Sequence, residues 1–299
     1  MITFEGFTKR FGGHTAVEGL DVEVEAGEAV ALLGPNGSGK TTTLKAAAGL
    51  VRPTAGRVLV GDPAADAASA EGRRAISYLP QRVSFPETLT GAEVVEFYRR
   101  LRNSSVERKK EVLRMASLNG ASTRPLSTYS GGMVQRLGLA VAALPDAPVM
   151  LLDEPTAALD PDGLCAFYGV VDRRRREGHT LLFTSHQLGD VERLADRFLL
   201  VVAGKLTAAM DRTELADRLS ARGVMRVRLD RRSSAVLNAV RAIAPRAVWS
   251  GDELIVPAPA AERPRILDVL RSAGAEIRGL VAEEGRLDDL YRELIGAAA

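Results

Sequence analysis

The residues best suited to chemistry stand in a glycine-rich segment, 34–41, which reads GPNGSGKT. Glycines at its first and sixth positions, then lysine and threonine, form the pattern of a phosphate-binding loop. Glycines let backbone N–H groups converge on phosphate oxygens, and a helix that begins behind the loop adds partial positive charge. We expect Lys40 to contact the β and γ phosphates of a nucleotide and the Thr41 hydroxyl to ligate Mg²⁺. The residues predicted to line this site are Gly34, Pro35, Asn36, Gly37, Ser38, Gly39, Lys40, Thr41 and Thr42.

A second candidate site is the acidic pair Asp153 and Glu154, which follows the apolar run 149–152. A buried strand that ends in two carboxylates brings them to a metal ion or a water molecule at its tip. Asp153 would hold Mg²⁺, and Glu154 would polarise the water that attacks the γ-phosphate. On its own, such a pair could equally cap a helix and place charge in its first turn. Beside a phosphate-binding loop, we favour nucleotide hydrolysis.

Both segments must be carried by strands of one sheet. The runs 30–33, 149–152 and 181–184 are apolar without alternation, which is typical of strands buried on both faces of a parallel sheet. Runs of this kind alternate with helical stretches along the chain, a pattern that predicts an α/β fold. In such folds ligands bind at the carboxyl ends of the strands. The two segments stand at these ends, where chemistry is expected.

Length and composition limit the possible functions. The chain has 299 residues, which favours a main domain of roughly 200 residues and a smaller second one. Its formal charge of +2 is too small to indicate nucleic acid as the main ligand. The longest apolar stretches are far shorter than the ~20 residues of a membrane span, so we expect any membrane role to come through a partner. The single cysteine, Cys165, fits a reducing cytosol.

The segment 129–136, YSGGMVQR, distinguishes this chain among nucleotide hydrolases. It resembles the signature segment of ATP-binding cassette (ABC) proteins, usually LSGGQ followed shortly by arginine. Ser130 offers a hydroxyl, Gly131 and Gly132 expose their N–H groups, and a helix is predicted behind them, so the segment is suited to bind an anion. Tyr129 and Met133 depart from the family pattern, and Met133 removes a polar side chain that would contact the other subunit.

The resemblance implies a P-loop ATPase fold with a mostly parallel sheet, an antiparallel subdomain and a helical subdomain that carries the signature. It implies ATP and Mg²⁺ as ligands. It further implies a head-to-tail homodimer, in which the signature of one subunit closes over the ATP of the other, and a separate integral membrane permease driven by that closure.

Four more residues stand where the family places functional side chains. Gln81 resembles the glutamine that contacts Mg²⁺ or the attacking water and couples to the membrane partner. Asp160 resembles the residue that communicates across the dimer, and His186 resembles the switch histidine at the γ-phosphate. Phe11 occupies the place of the aromatic residue that stacks on adenine. The other two histidines, at positions 14 and 179, lack such context, and we interpret them as structural.

The resemblance covers roughly residues 1–215, and we predict an ABC ATPase domain over 1–219 and a second domain over 220–299. From residue 224 onwards, the periodicities predict the order β-α-β-β-α-β, the split β-α-β arrangement of ferredoxin-like domains. No catalytic constellation occurs there, so we expect a regulatory or dimer-stabilising domain. Segment 287–291, LDDLY, resembles the closing helix of many exporter-type ATPase subunits.

Several segments, among them YLP at 78–80 and YS at 129–130, together resemble the ATPase of the nitrous oxide reductase copper-site maturation system. That resemblance implies export of a sulfur- or copper-related species, a periplasmic partner and a location on the cytoplasmic face of the cell membrane. An exporter of drugs or other small molecules and an importer subunit are the alternative interpretations. No residue of the chain indicates the cargo.

Overall fold

The computed structural model describes residues 1–118 and 120–298. The chain forms two compact units, Met1–Ala209 and Met210–Ala299. The helix Arg212–Ser220 lies in the second unit, so the expected boundary after residue 219 falls within an element of that unit.

The strands up to residue 211 form two sheets. An antiparallel sheet has the order β2-β1-β4-β5, and a six-stranded sheet has the order β10-β9-β3-β8-β7-β6. These strands are β1 (Ile2–Phe11), β2 (His14–Val24), β3 (Ala29–Leu33), β4 (Ala55–Val60), β5 (Ala65–Asp66), β6 (Ile76–Leu79), β7 (Val149–Asp153), β8 (Thr180–Thr184), β9 (Arg197–Val202) and β10 (Lys205–Asp211).

The centre of the six-stranded sheet is parallel and buried. Strand β3 pairs in parallel with β8 and β9, and β7 pairs in parallel with β6 and β8. Every residue of β3, β7 and β8 is buried, as their unbroken apolar sequences predict. Because parallel neighbours end at the same edge, the loops that follow these strands converge there.

Helices cover the sheet and form a separate helical group. The helices of the first unit are α1 (Lys40–Ala47), α2 (Ala70–Arg74), α3 (Gly91–Leu101), α4 (Val106–Met115), α5 (Gly131–Ala143), α6 (Pro161–Arg176) and α7 (Leu188–Leu194). Helices α3, α4 and α5 pack against one another, and α5 also contacts α6 and β6. Helix α3 begins with a capping box in which the side chains of Thr90 and Glu93 bond each other's backbone N–H groups. This packing confirms the predicted helical subdomain.

The second unit is a four-stranded antiparallel sheet with helices. Its sheet order is β12-β13-β11-β14, which is the split β-α-β arrangement of a ferredoxin-like domain and confirms that prediction. Its elements are α8 (Arg212–Ser220), β11 (Val224–Leu229), α9 (Ser234–Arg241), β12 (Val248–Ser250), β13 (Glu253–Pro257), α10 (Arg263–Ser272), β14 (Ile277–Glu283) and α11 (Leu287–Ala298). Buried apolar side chains of β11, β13, α9 and α10 form its core.

Among residues 1–118 and 120–298, none of the helices combines the length and apolar character that a bilayer span requires.

Candidate functional site

Four segments of the predicted site meet at the carboxyl edge of the six-stranded sheet. The phosphate-binding loop follows β3, and Gln81 follows β6. The acidic pair stands at the end of β7, and His186 follows β8. The strands run parallel and in register, with Asp153 beside Thr184 in the ladder, so residues far apart in sequence lie side by side.

The conformation of the phosphate-binding loop depends on its glycines. Gly34 has a φ of 151°, and a Cβ atom there would lie 2.1 Å from the carbonyl oxygen of Val201. Gly39 has a φ of 103°, and its Cβ would lie 2.4 Å from the carbonyl oxygen of Ala16. Only glycine fits either position. Within the described residues, the buried Ser38 hydroxyl finds no hydrogen-bond partner, which leaves a polar atom free in the loop.

Lys40 is held beside the loop at the first position of α1. Its ammonium donates hydrogen bonds to the carbonyl oxygens of Gly34 (2.8 Å) and Pro35 (3.0 Å). Burial lowers the pKa of Lys40, and the carboxylates of Glu154 and Asp153 oppose that shift. A cation is therefore held near two acids at the mouth of a glycine-rich loop.

Asp153 is buried among hydroxyl groups. Its Oδ1 accepts hydrogen bonds from Thr184 (2.8 Å) and Thr41 (3.3 Å). Burial raises the pKa of Asp153, and these two hydrogen bonds oppose the shift. Its Oδ2 is buried and has no hydrogen-bond partner in the part of the chain described. A carboxylate with an unpaired oxygen beside a threonine hydroxyl is the donor set that Mg²⁺ prefers.

Glu154 is fixed by its neighbours on three sides. Its backbone has a φ of 48°, in the left-handed region that residues other than glycine rarely adopt. The Glu154 N–H donates to the Thr184 hydroxyl at 2.9 Å. One carboxylate oxygen accepts from the Gln81 amide at 2.8 Å, and the other lies 2.7 Å from His186 Nε2. Three predicted residues, Glu154, Gln81 and His186, are therefore in direct contact.

A cavity of about 530 Å³ joins the loop to this group. Phe11, whose ring is half exposed, lies at its margin, and the Lys9 ammonium lies 4.9 Å from the ring centroid. The lining residues are Phe11, His14, Ala16, Asn36, Gly37, Ser38, Gly39, Lys40, Thr41, Thr42, Gln81 and Glu154. Most of the predicted nucleotide-binding residues are thus brought together within one chain.

The signature segment lies outside this cavity's lining. Ser130 is exposed and caps α5, since its hydroxyl accepts a hydrogen bond from the Met133 N–H at 3.2 Å. A Cβ atom on Gly132 would lie 3.1 Å from the Ala158 carbonyl oxygen, so the segment packs beside the loop that precedes α6. Asp160 caps α6 and accepts from the Gly163 N–H at 2.8 Å.

Sequence reasoning missed Thr184 and His14. Thr184 ends a strand that was predicted, but its bonds to both acids depend on the alignment of β7 with β8. His14 lines the cavity, a position that its interpretation as a structural residue does not predict. His179 has contacts of the kind a structural role requires: its ring bonds the Ala147 carbonyl at 2.7 Å and Arg174 at 3.1 Å.

A larger cavity, of about 950 Å³, is lined by several arginines. Arg108 and Arg174 both donate to the carbonyl oxygen of Ala143, the last residue of α5, and Arg174 also donates to the Pro145 carbonyl. Arginines that bond the final carbonyls of a helix satisfy groups that have no partner within the helix. We therefore interpret this cluster as a helix cap.

A loop that suits a triphosphate, carboxylates that suit a metal ion and water, and an exposed signature helix define a nucleotide-hydrolysing cassette. A family model described as ABC transporter matches residues 17–157. The linearmycin resistance ATP-binding protein LnrL of Bacillus subtilis (strain 168) is 30% identical over 248 residues, which cover 82% of this chain and 80% of that protein. The daunorubicin resistance ATP-binding protein DrrA3 of Streptomyces coeruleorubidus is 32% identical over 306 aligned residues, covering 99% of this chain and 96% of that protein.

Solved structures similar to this chain are also ABC transporter subunits. A dimeric structure of MJ0796, a bacterial ABC transporter cassette, matches with a TM-score of 0.64 at 26% identity, over 71% of this chain and 98% of that one. The ATP-binding subunit of another ABC transporter matches with a TM-score of 0.67 at 25% identity, over 73% and 92%. The chain belongs to the ABC transporter family as an ATP-binding, ATP-hydrolysing subunit. Subunits of this kind form dimers and act with membrane permease subunits.

Proposed function

We propose that two copies of this chain pair head to tail and hydrolyse ATP at two shared sites. Each site combines the phosphate-binding loop of one copy with the Ser130 segment of the other. The observation that carries this proposal is the separation of the two elements within one chain. The cavity is lined by the loop, Gln81 and Glu154, whereas Ser130 and Gly131 are exposed at the start of α5.

The loop and its flanking residues bind the nucleotide. The Lys40 ammonium exchanges its two carbonyl contacts for oxygens of the β and γ phosphates, because a charged acceptor forms the stronger hydrogen bond. Backbone N–H groups of residues 36–42 face the same oxygens at the start of α1. Phe11 stacks on adenine, for which its exposed ring offers a flat apolar face.

Glu154 acts as the base that polarises the attacking water. Its side chain is largely buried, and the hydrogen bond from Gln81 and the contact with His186 hold both carboxylate oxygens in place. A base fixed in this way needs little reorganisation when the water loses its proton. His186 contacts the γ-phosphate beside it, and Gln81 links the group to the loop that follows β6.

The donor set around Asp153 fits Mg²⁺. The Asp153 carboxylate, with one buried oxygen lacking a partner, and the Thr41 hydroxyl are adjacent oxygen ligands, and the Gln81 amide oxygen is a third candidate. When bound, the ion neutralises charge on the phosphates. The protein's own part is to bury and orient Asp153, and the hydrogen bonds from Thr184 and Thr41 oppose the rise in its pKa that burial causes.

The signature segment senses the γ-phosphate of the opposite copy. Ser130 presents its hydroxyl, and Gly131 and Gly132 present backbone N–H groups at the positive end of the 13-residue helix α5. The close approach of Gly132 to Ala158 couples this segment to the loop that leads to Asp160. Closure of the dimer therefore moves the signature and the Asp160 loop together.

Export of an organic small molecule is the transport function that the relatives favour. LnrL is named for linearmycin resistance and DrrA3 for daunorubicin resistance. We infer a drug-type exporter subunit that works through a separate permease at the cytoplasmic face of the membrane. Copper-site maturation with a periplasmic partner stays a prediction from sequence resemblance. These relatives do not support that prediction. An importer subunit is the remaining alternative.

The second unit is proposed to hold two copies together. Strand β14 is the last strand of its sheet, so one of its edges has no neighbour among the described strands. Leu280 and Val281 on this strand are 45% and 51% exposed. An exposed apolar edge strand is a template for pairing with another strand. If the β14 strands of two copies pair in antiparallel fashion with Val281 at the centre, Arg278 of each copy lies opposite Glu284 of the partner subunit.

The catalytic assignment is tested with Glu154→Gln. The amide keeps the shape of the side chain but removes the base, so we expect ATP binding to persist and turnover to fall by at least about 100-fold. With hydrolysis blocked, ATP should hold the dimer closed, which size-exclusion chromatography with light scattering would detect.

Glu23→Gln is the matched control, because that glutamate is exposed on β2 away from the cavity. It should leave turnover and oligomeric state unchanged. Native turnover in Glu154→Gln would exclude Glu154 as the base, and an ATP-loaded monomer at all concentrations would exclude the shared site.

A further inference from the structure

His14 stands directly opposite Phe11 at the end of the hairpin formed by β1 and β2. The two residues are partners in the antiparallel ladder, joined by a turn at positions 12–13. Opposed residues of an antiparallel pair project to the same face of the sheet. Both side chains line the cavity that contains the phosphate-binding loop. The imidazole is therefore placed at the end of the cavity where the adenine-stacking ring lies.

The imidazole of His14 is available to a ligand. It is exposed, and its side chain has no hydrogen bond or ion pair within residues 1–118 and 120–298. The other two histidines are engaged: His179 bonds a backbone carbonyl and Arg174, and His186 contacts Glu154. A neutral imidazole offers one donor and one acceptor, which suits the hydroxyls of a ribose and the edge of a purine.

The geometry of the hairpin decides which part of a nucleoside His14 can reach. The Lys9 ammonium, 4.9 Å from the Phe11 centroid, covers one face of the ring and leaves the other to stack on a base. Directly opposed strand residues have Cβ atoms about 4.5–5.5 Å apart. That separation is too small for two rings to enclose a third, so the imidazole must lie beside the base.

We propose that His14 is a second nucleoside-contacting residue, which hydrogen-bonds the ribose or the edge of the purine while Phe11 stacks on its face. This inference rests on the proposed nucleotide site. Two parts of the cavity then bind two parts of the nucleotide. The loop at 34–42 binds the phosphates, and the hairpin of β1 and β2 binds the nucleoside attached to them. Affinity for the nucleoside moiety then depends on His14, whereas affinity for the phosphates does not.

The test compares two ligands that differ only in the nucleoside. Isothermal titration calorimetry with Mg²⁺ present gives Kd for ADP and for inorganic pyrophosphate, neither of which the site hydrolyses. In His14→Ala we expect Kd for ADP to rise about 3- to 10-fold, the effect of one neutral hydrogen bond, and Kd for pyrophosphate to stay unchanged. His14→Gln, which keeps a donor and an acceptor, should recover part of the loss.

Thr15→Ala is the matched control, because adjacent strand residues point to opposite faces and Thr15 does not line the cavity. Its Kd values should equal those of the native chain. The inference is overturned if His14→Ala binds ADP with native affinity, or if it weakens ADP and pyrophosphate equally. Failure of the native chain to bind ADP would instead overturn the nucleotide site itself, so the two failures are distinguishable.

Discussion

His186 Nε2 lies 2.7 Å from Glu154 Oε1, and this contact joins the ends of two neighbouring strands. Glu154 is the more buried partner, with 14% of its side chain exposed against 43% for His186. The histidine is therefore the outer, more solvent-exposed member of the pair. Its removal would free one oxygen of the carboxylate and open the site to solvent.

His186→Ala should impair turnover more than binding. In the proposed mechanism His186 positions the base and contacts the γ-phosphate, so its loss is expected to lower kcat by about 100- to 1,000-fold. Because Lys40 and the loop still hold the phosphates, KM for ATP should change by less than about threefold. Steady-state kinetics measures both constants. A native kcat in His186→Ala would show that the contact with Glu154 has no part in hydrolysis.

Thr184→Val should weaken both the fold and the proposed metal site. Its hydroxyl donates to Asp153 at 2.8 Å and accepts from the Glu154 N–H at 2.9 Å, and valine replaces it without a change of shape. Leaving this part-buried N–H unpaired should lower the free energy of unfolding by about 1–3 kcal/mol, measured by urea denaturation. The pKa of Asp153 should rise further, because the hydrogen bond from Thr184 opposes the effect of burial.

The same variant should need more Mg²⁺ for half-maximal ATPase activity, since the Asp153 carboxylate loses the hydroxyl that orients it. Thr184→Ser keeps the hydroxyl and should behave as the native chain in both assays. Equal Mg²⁺ dependence in Thr184→Val and Thr184→Ser would contradict the role of this hydroxyl.

Mixing two inactive variants should restore activity if the site is shared. Lys40→Ala removes the phosphate contact, and Ser130→Asp keeps a good helix cap while repelling the γ-phosphate. A mixed dimer contains one intact site, formed by Lys40 of one copy and Ser130 of the other. An equal mixture, half of it mixed dimers, should recover about a quarter of the native ATPase rate. Failure of two inactive variants to recover activity on mixing would show that one chain completes its own site, and native activity in Ser130→Asp alone would show that Ser130 has no part in it.

Pairing of the second units can be tested by cysteine cross-linking. In a Cys165→Ser background, cysteine at Val281 should form a disulfide between two copies on mild oxidation, because opposed strand residues lie within disulfide distance. Val248→Cys is the control, since this residue is similarly exposed but lies on β12 at the other edge of the sheet. Cross-linking of both variants at the same rate would indicate random collision.

The sequence predicted the central sheet more fully than the antiparallel one. The apolar runs 30–33, 149–152 and 181–184 correspond to β3, β7 and β8, because strands buried on both faces have an unmistakable apolar composition. Strands β1 and β2 pair with several register shifts, between Phe4 and Phe7 and again up to Arg10. Such shifts interrupt the alternation on which strand prediction depends, so their pairing could not be foreseen.

The sequence by itself determined the phosphate-binding loop, the acidic pair and the signature segment. Each consists of adjacent residues, and the residue types alone indicate the backbone conformation that the segment adopts. Only the tertiary structure decided that Thr184 bonds both acids, that Glu154 lies between Gln81 and His186, and that His14 shares a cavity with Phe11. These relationships depend on which strands are neighbours and in what register. Pairing between distant segments is set by burial of the whole sheet, and no local pattern encodes it.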